Sequence, residues 1–395
     1  MKKLFALLLV ALMVFSMVAC GNSKKDAMKV GFIFLHDEQS TYDKNFIDAA
    51  KEACEKMGVT MVQKTQIPES QACYDAAVEL IEVEGCEIIF ADSFGHESFL
   101  IEAAKKYPDV QFCHATGTMA HTAGVANFHN AFASIYQGRY AAGVVAGLKL
   151  NEMIAENKIT AEQAKMGYVG AFTFAEVISG YTSFYLGAKS VCPSVTMDVK
   201  FTGSWYDETK EKQAAQSLIE GGCVLLSQHA DSMGAPTACE TAKVPNVSYN
   251  GSTAAACPET FLISSRINWA PYFEYMITCV KEGKAIDTDW TGTLSTGSVV
   301  LTEMGKNVAE GTQAKLDEVL AGLKDGSINV FDTKNFAVQG ETLTSYKADV
   351  DTDAAFEKDT EVIANGIFQE SKFRSGPYFD IEIDGITLLD RNYGE

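Results

Sequence analysis

Short apolar runs alternate with longer stretches of mixed polarity along most of the chain. The run Lys29-Val-Gly-Phe-Ile-Phe-Leu35 is apolar almost throughout, the pattern of a strand buried on both faces. Residues 43–57 then space their apolar side chains as a helix does, and the alternation repeats. It predicts strands at 59–64, 87–91 and 110–114, and helices at 69–83 and 96–106. An Ala- and Gly-rich segment from Ala131 to Asn157 reads as one long helix. A second series follows, with strands at 165–170, 196–201, 223–227, 246–249 and 260–264 and helices at 176–190, 208–220, 233–242 and 269–282. Alternation of this kind specifies α/β architecture with parallel sheets covered on both faces, and two such series in tandem imply two doubly wound lobes with a ligand cleft between them.

The expected boundaries are residues 28–130 plus about 265–295 for the first lobe and 131–264 plus about 296–340 for the second. The chain then crosses between lobes near 120–140, 255–270 and 290–305. A Thr/Gly-rich stretch at 288–297 carries no clear period. Beyond it, strand-helix-strand and an acidic extension from 341 to 395 are expected to complete both lobes and wrap their surface.

The first twenty residues do not belong to this pattern. Lys2 and Lys3 precede an apolar run from Leu4 to Val18 that ends in Ala19-Cys20, too short and wrongly flanked for an ordinary spanning helix. A small residue before a cysteine at the end of such a core is the cut site of a bacterial lipoprotein leader. Cys20 is thus the expected site of lipid attachment, and residues 21–27 a flexible tether, placing the protein on the extracytoplasmic face of the cell membrane. The formal net charge of −20 argues against nucleic acid or anionic lipid as partners of a basic face. Of ten cysteines none stands at C-x-x-C spacing with another, so the nine besides Cys20 are expected as buried thiols.

Catalytic signatures are missing from the chain: it contains no G-x-S-x-G, H-E-x-x-H or G-x-x-x-x-G-K-[ST]. The histidines His36, His96, His114, His121, His129 and His229 form no tight metal spacing. Asp349-x-Asp351-x-Asp353 opens like a calcium loop, but Ala354 stands where the turn needs Gly and Thr360 where the bidentate Glu belongs. A metal- or water-activating hydrolase would need clustered carboxylates, so neither an enzyme nor a cofactor or metal protein is expected.

Ligand contacts in open sheets gather just after the strands. Those places hold Phe34-Leu-His-Asp37, Thr41-Tyr-Asp-Lys-Asn-Phe46, Ala91-Asp-Ser-Phe-Gly-His96 and His114-Ala-Thr116 in the first series. In the second they hold Thr202-Gly-Ser-Trp-Tyr-Asp207, Gln228-His-Ala-Asp-Ser232 and Tyr249-Asn-Gly251. Aromatics from each lobe, with carboxylates and amides, suit a planar hydrogen-bonding heterocycle. Phe94, Trp205 and Asp231 are the candidates this reading selects, whereas Asp43 and Asp207, each at the start of a helix, fit helix caps.

Several of these stretches resemble the basic membrane protein family of lipoproteins, the binding components of nucleoside-type ABC transporters. Asp43-Lys-Asn-Phe46 is similar to the family's D-K-x-F motif. Asn130-Ala-Phe-Ala-Ser-Ile-Tyr-Gln-Gly-Arg-Tyr-Ala-Ala-Gly143 resembles its Y-x-G-x-Y-x-A-G helix. Gly203-Ser-Trp-Tyr-Asp207 with Lys210, Gln228-His-Ala-Asp-Ser232 and Asn268-Trp-Ala-Pro-Tyr272 are similar to a purine-base-binding subgroup. The resemblance implies a type I periplasmic-binding-protein fold and a base sandwiched between Phe46 or Tyr42 and Trp205. It further implies polar contacts from His114 or Thr116 and from Asn250, and an ABC permease as partner of a monomer. Ile47 stands where nucleoside binders carry Asn, and Asn250 and Arg266 only approximate their ribose-holding acid and lysine, which favours a purine base over a nucleoside. A flavin or another planar heterocycle is the alternative ligand, and a ligand-sensing surface lipoprotein the alternative role.

Overall fold

The computed structural model describes residues 27–350 and 357–391; Cys20, most of the tether, and Asp351 and Asp353 lie outside them. Two sheets organise the chain. The first contains β1 (Lys29–Ile33), β2 (Thr60–Lys64), β3 (Ile88–Ala91), β4 (Gln111–Ala115), β5 (Phe128–Ala133) and, joined later, β11 (Asp289–Gly292), in the order β11-β5-β4-β3-β1-β2. All its pairings are parallel. The second contains β6 (Lys165–Gly170), β7 (Thr196–Phe201), β8 (Leu225–Gln228), β9 (Asn246–Tyr249), β10 (Phe261–Ile267) and β12 (Val299–Leu301), closed at its far edge by the C-terminal strand Ile386–Asp390. In this sheet only the β10–β12 pairing is antiparallel.

Within each lobe the first five strands follow the order 2-1-3-4-5, so each sheet reverses direction of winding between its first and third strands. The crossover helices are α1 (Thr41–Met57), α2 (Gln71–Glu82) and α3 (Glu97–Lys106) in the first lobe. Those of the second are α4 (Ile135–Ala155), α5 (Ala175–Val191), α6 (Glu208–Glu220) and α7 (Gly234–Ala242). α8 (Ala270–Glu282) returns to the first lobe and α9 (Thr312–Asp325) packs on α4. α1 starts where the Ser40 side chain accepts the Asp43 amide N–H, and Asp207 caps α6 by accepting from the Lys210 amide, the capping role expected of it.

The composition of α4 follows from its packing. It is buried on nearly all sides and lies backbone to backbone on α5: a Cβ added to Gly143 would sit 2.0 Å from the Phe184 carbonyl oxygen, and one added to Gly187 2.0 Å from that of Tyr140. Two glycines facing each other's helix are therefore what permits the contact.

Two expectations are corrected, the start of the long helix and the lobe boundaries. The segment from Ala131 opens as β5 and becomes helix only at Ile135, because Phe128–Ala133, buried throughout, is sandwiched between β4 and β11. Residues 131–133 thus belong to the first lobe, and β10 extends the second to Ile267. The Thr/Gly-rich stretch supplies β11, a strand too short for its period to show. The tail completes the second lobe: Ile386–Asp390 pairs in parallel with β7, and Phe379 stacks on Phe331 at 4.2 Å against the second-lobe core. Ser375 ties the tail to the first lobe by donating from both its amide and hydroxyl to Asp289. The chain passes between lobes at Ser134, at Asn268–Trp269 and between Gly292 and Val299. No helix of the described residues is long and apolar enough to cross a membrane. The nine described cysteines are buried free thiols.

Candidate functional site

A cavity lies between the lobes at the carboxyl ends of both sheets, beside the two points where the strand order reverses. The first lobe contributes Leu35 and His36 after β1, Tyr42 in the first turn of α1, Ser93 and Phe94 after β3, and Thr116 after β4. The second contributes Glu176 on α5, Trp205 after β7, His229 and Asp231 after β8, Tyr249 at the end of β9 and Asn250 beyond it.

The lobes meet around it. Thr41 donates from its amide and its hydroxyl to the Asp231 carbonyl, both at 3.1 Å, and the Asn45 amide donates to the Ile267 carbonyl. Arg266 closes the same seam with a 3.1 Å bond to Asn45 Oδ1. At the mouth, Phe94 faces Phe174 across the gap with ring centroids 5.2 Å apart, and Trp205 packs edge-on against Phe172 at 4.9 Å.

Corresponding strand ends of the two lobes share a backbone peculiarity. Thr116 follows the fourth strand of the first lobe with φ of 66°, and Asn250 the fourth strand of the second with φ of 63°. Left-handed backbone at a non-glycine residue costs energy, and the pair places that strain on both walls of one cavity. Asn250 is buried with its side chain against the Asp231 carboxyl, so the two stand together on the cavity wall.

Electrostatics around the cavity are dominated by burial. Asp231 is 4% exposed; desolvation first, then the negative charges of Asp43, Glu211 and Glu176, push its carboxyl well above the usual range. Burial therefore favours its protonated form, which can both donate and accept. Its backbone is fixed by the 2.9 Å bond from the Asp231 amide to the Trp205 carbonyl. Behind it, Glu211 accepts the amides of Ser232 and Asp207, and burial pushes its carboxyl up to about 7. Tyr42 donates to the Asp92 carbonyl at 2.7 Å, which holds its ring at the cavity wall.

Six of the eight side chains selected from the sequence therefore stand around one cavity: Tyr42, Phe94, Thr116, Trp205, Asp231 and Asn250. Phe46 and His114 do not. Phe46 is fully buried and stacks on Trp269 at 4.4 Å, because it lies one helical turn past Tyr42, away from the cleft end of α1. His114 is still inside β4, fully buried, with Nε2 2.7 Å from the Ser93 carbonyl, so it supports the wall that Thr116 reaches one step beyond the strand. Sequence reasoning passed over Leu35, His36, Ser93, His229 and Tyr249 within stretches it had singled out, and missed Glu176 altogether. An acid in the first turn of a helix is ordinary, so no local signal marked it. Among the described residues no group of three or more His, Cys, Asp or Glu side chains gathers as a metal site.

Comparison with known proteins agrees with this architecture. Residues 33–333 match the Bmp family model, described as ABC transporter substrate-binding protein PnrA-like. A purine-binding protein of Brucella abortus is 31% identical over 313 residues, covering 78% of this chain and 84% of that one. The ABC transporter nucleoside-binding protein BmpA of Lactococcus lactis is 25% identical over 243 residues, 59% of this chain and 64% of its own. Among solved structures, ABC transporter solute-binding proteins of Aeropyrum pernix and Conexibacter woesei superpose with TM-scores of 0.64 and 0.62. Their identities are 16% and 18%, and the matches cover 80% and 77% of this chain and 94% and 98% of theirs. With a two-lobed type I periplasmic-binding fold, an interlobe cavity and a family match across most of its length, the chain belongs to the Bmp family of ABC transporter substrate-binding proteins.

Proposed function

We propose that the protein captures a purine base in the interlobe cavity and hands it to an ABC permease, acting as a monomer tethered by lipid on Cys20 at the extracytoplasmic face of the membrane. The observation that carries the ligand reading is the composition of the cavity. Flat side chains, Tyr42 from one lobe and Trp205 from the other, share it with the hydrogen-bonding side chains of Asn250, Asp231 and Glu176. Such a site suits a planar heterocycle with polar edges, since an unpaired buried group penalises every ligand that fails to satisfy it. The Brucella abortus relative named as purine-binding supports the class.

Base rather than nucleoside is favoured by two positions. Ile47 is fully buried in the core and has no polar group to offer a sugar. Arg266 is spent on Asn45 and lines a separate groove, not the cavity. The anchoring reading rests on Lys2, Lys3 and the apolar run that ends at Ala19-Cys20. Nothing in the mechanism calls for covalent chemistry: closing the lobes buries the ring, and the closed form is what docks on the permease.

The test is calorimetry and thermal shift on the chain lacking residues 1–20, against purine bases, nucleosides, flavins and sugars. A purine base should bind at low-micromolar Kd or tighter, about 8 kcal/mol or more, and raise the melting temperature more than its nucleoside does. Trp205→Ala should weaken that binding by about ten- to a hundredfold, the loss of one stacking face. A response to sugars or flavins with silence from all purines overturns the ligand reading.

A further inference from the structure

A chain of buried polar groups runs from the core of the second lobe to the cavity and ends on Glu176. It begins at Arg139 on α4, fully buried, whose guanidinium donates to the Tyr168 hydroxyl at 2.9 Å and to Ser227 Oγ at 3.0 Å. Arginine can only donate, so the Tyr168 oxygen accepts and its own proton turns to another partner. That partner is His229 Nδ1, at 3.4 Å. With Nδ1 accepting, the imidazole proton stands on Nε2, which faces Glu176 Oε1 at 3.4 Å. Every link thus points the same way, from guanidinium to carboxylate. Gly180 leaves room for it: a Cβ there would come 2.9 Å from His229 Nδ1. Tyr249 braces the middle, its ring 4.8 Å from both the His229 ring and the Arg139 guanidinium.

The cavity therefore contains an oriented acceptor. Glu176 lines it with a side chain 12% exposed and one oxygen occupied by His229. We infer that Glu176 is the specificity-determining residue that reads N–H groups of the ligand, an amino substituent or a ring lactam N–H, with Arg139, Tyr168 and His229 as positioning residues that hold it as an acceptor. The inference rests on the purine reading above and sharpens it: an amino- or oxo-substituted purine is taken in preference to the bare ring.

Isothermal titration of the chain lacking residues 1–20 with adenine, guanine, hypoxanthine and unsubstituted purine tests this, on wild type, Glu176→Gln and Tyr168→Phe. Wild type should favour the best substituted purine over the unsubstituted ring by about tenfold, the worth of one well-made hydrogen bond. Glu176→Gln should shrink that preference below about threefold and Tyr168→Phe should shrink it partway, the substituted purines losing more affinity than the bare ring in each case. Structural damage alone would weaken all four ligands together, and that result overturns the assignment, as does a preference that survives in Glu176→Gln. Silence of wild type toward all four ligands instead overturns the purine reading, and the assignment falls with it.

Discussion

Replacing Glu211 by Gln should make the protein less sensitive to alkaline pH. The Glu211 side chain is buried behind the loop that carries Asp231, accepting backbone N–H groups from Asp207 at 3.0 Å and from Ser232 at 3.1 Å. Desolvation outweighs those bonds and raises its carboxyl from 4.5 to about 7. A folded-state value above the unfolded one means that the native protein holds the proton more tightly. The stability this contributes is complete below pH 4.5 and is lost as pH rises through about 7. At about 1.36 kcal/mol per pH unit, the loss between pH 5 and pH 8 comes to about 2–3 kcal/mol. Gln fills the same space and does not titrate. Urea unfolding of both proteins at pH 5 and pH 8 should then show wild type losing about 2–3 kcal/mol relative to Glu211→Gln across that interval. A relative loss below about 1 kcal/mol would refute the reasoning, because it would mean that the folded carboxyl titrates near its unfolded value.

Phe46→Ala should cost about 3–5 kcal/mol of stability, measured by denaturant unfolding, while leaving the order of ligand preference intact, since the ring packs on Trp269 and lies outside the cavity. Asn250→Gly keeps the left-handed backbone but removes the side-chain amide from the cavity wall, so calorimetry should find weaker ligand binding with a melting temperature of the free protein within a few degrees of wild type. Gly143→Ala forces a methyl to 2.0 Å from a backbone carbonyl of α5, and expression with circular dichroism should find the protein unfolded or strongly destabilised.

Most of the alternation in this chain was legible before any coordinates, because strands buried on both faces and helices with one apolar stripe differ in period and length. Strand β6 and helix α6 lie where their periods place them. β5 and β11 were hidden for the opposite reason: β5 is a strand because β4 and β11 flank it, and β11, four residues at the sheet edge, is one because β5 pairs with it. The same holds for Ile386–Asp390, whose partner β7 lies almost two hundred residues earlier in the chain.

Around the cavity the division is sharper. The sequence alone could say that informative side chains stand just past strand ends, since two doubly wound series leave their loops at one edge of each sheet. Tyr42, Phe94, Thr116, Trp205, Asp231 and Asn250 were reachable in that way. Which member of a neighbouring pair faces the cleft was not: Tyr42 and not Phe46, Thr116 and not His114, depend on where a helix begins and a strand stops against its neighbours. Glu176 was out of reach entirely. Its role depends on Arg139, Tyr168 and His229, residues of a helix and two strand ends that approach within hydrogen-bonding distance only when the second lobe is packed. Periodicity is a property of neighbours along the chain and survives in the sequence; the orientation of a buried donor or acceptor is set by neighbours in space, and only the tertiary structure decides it.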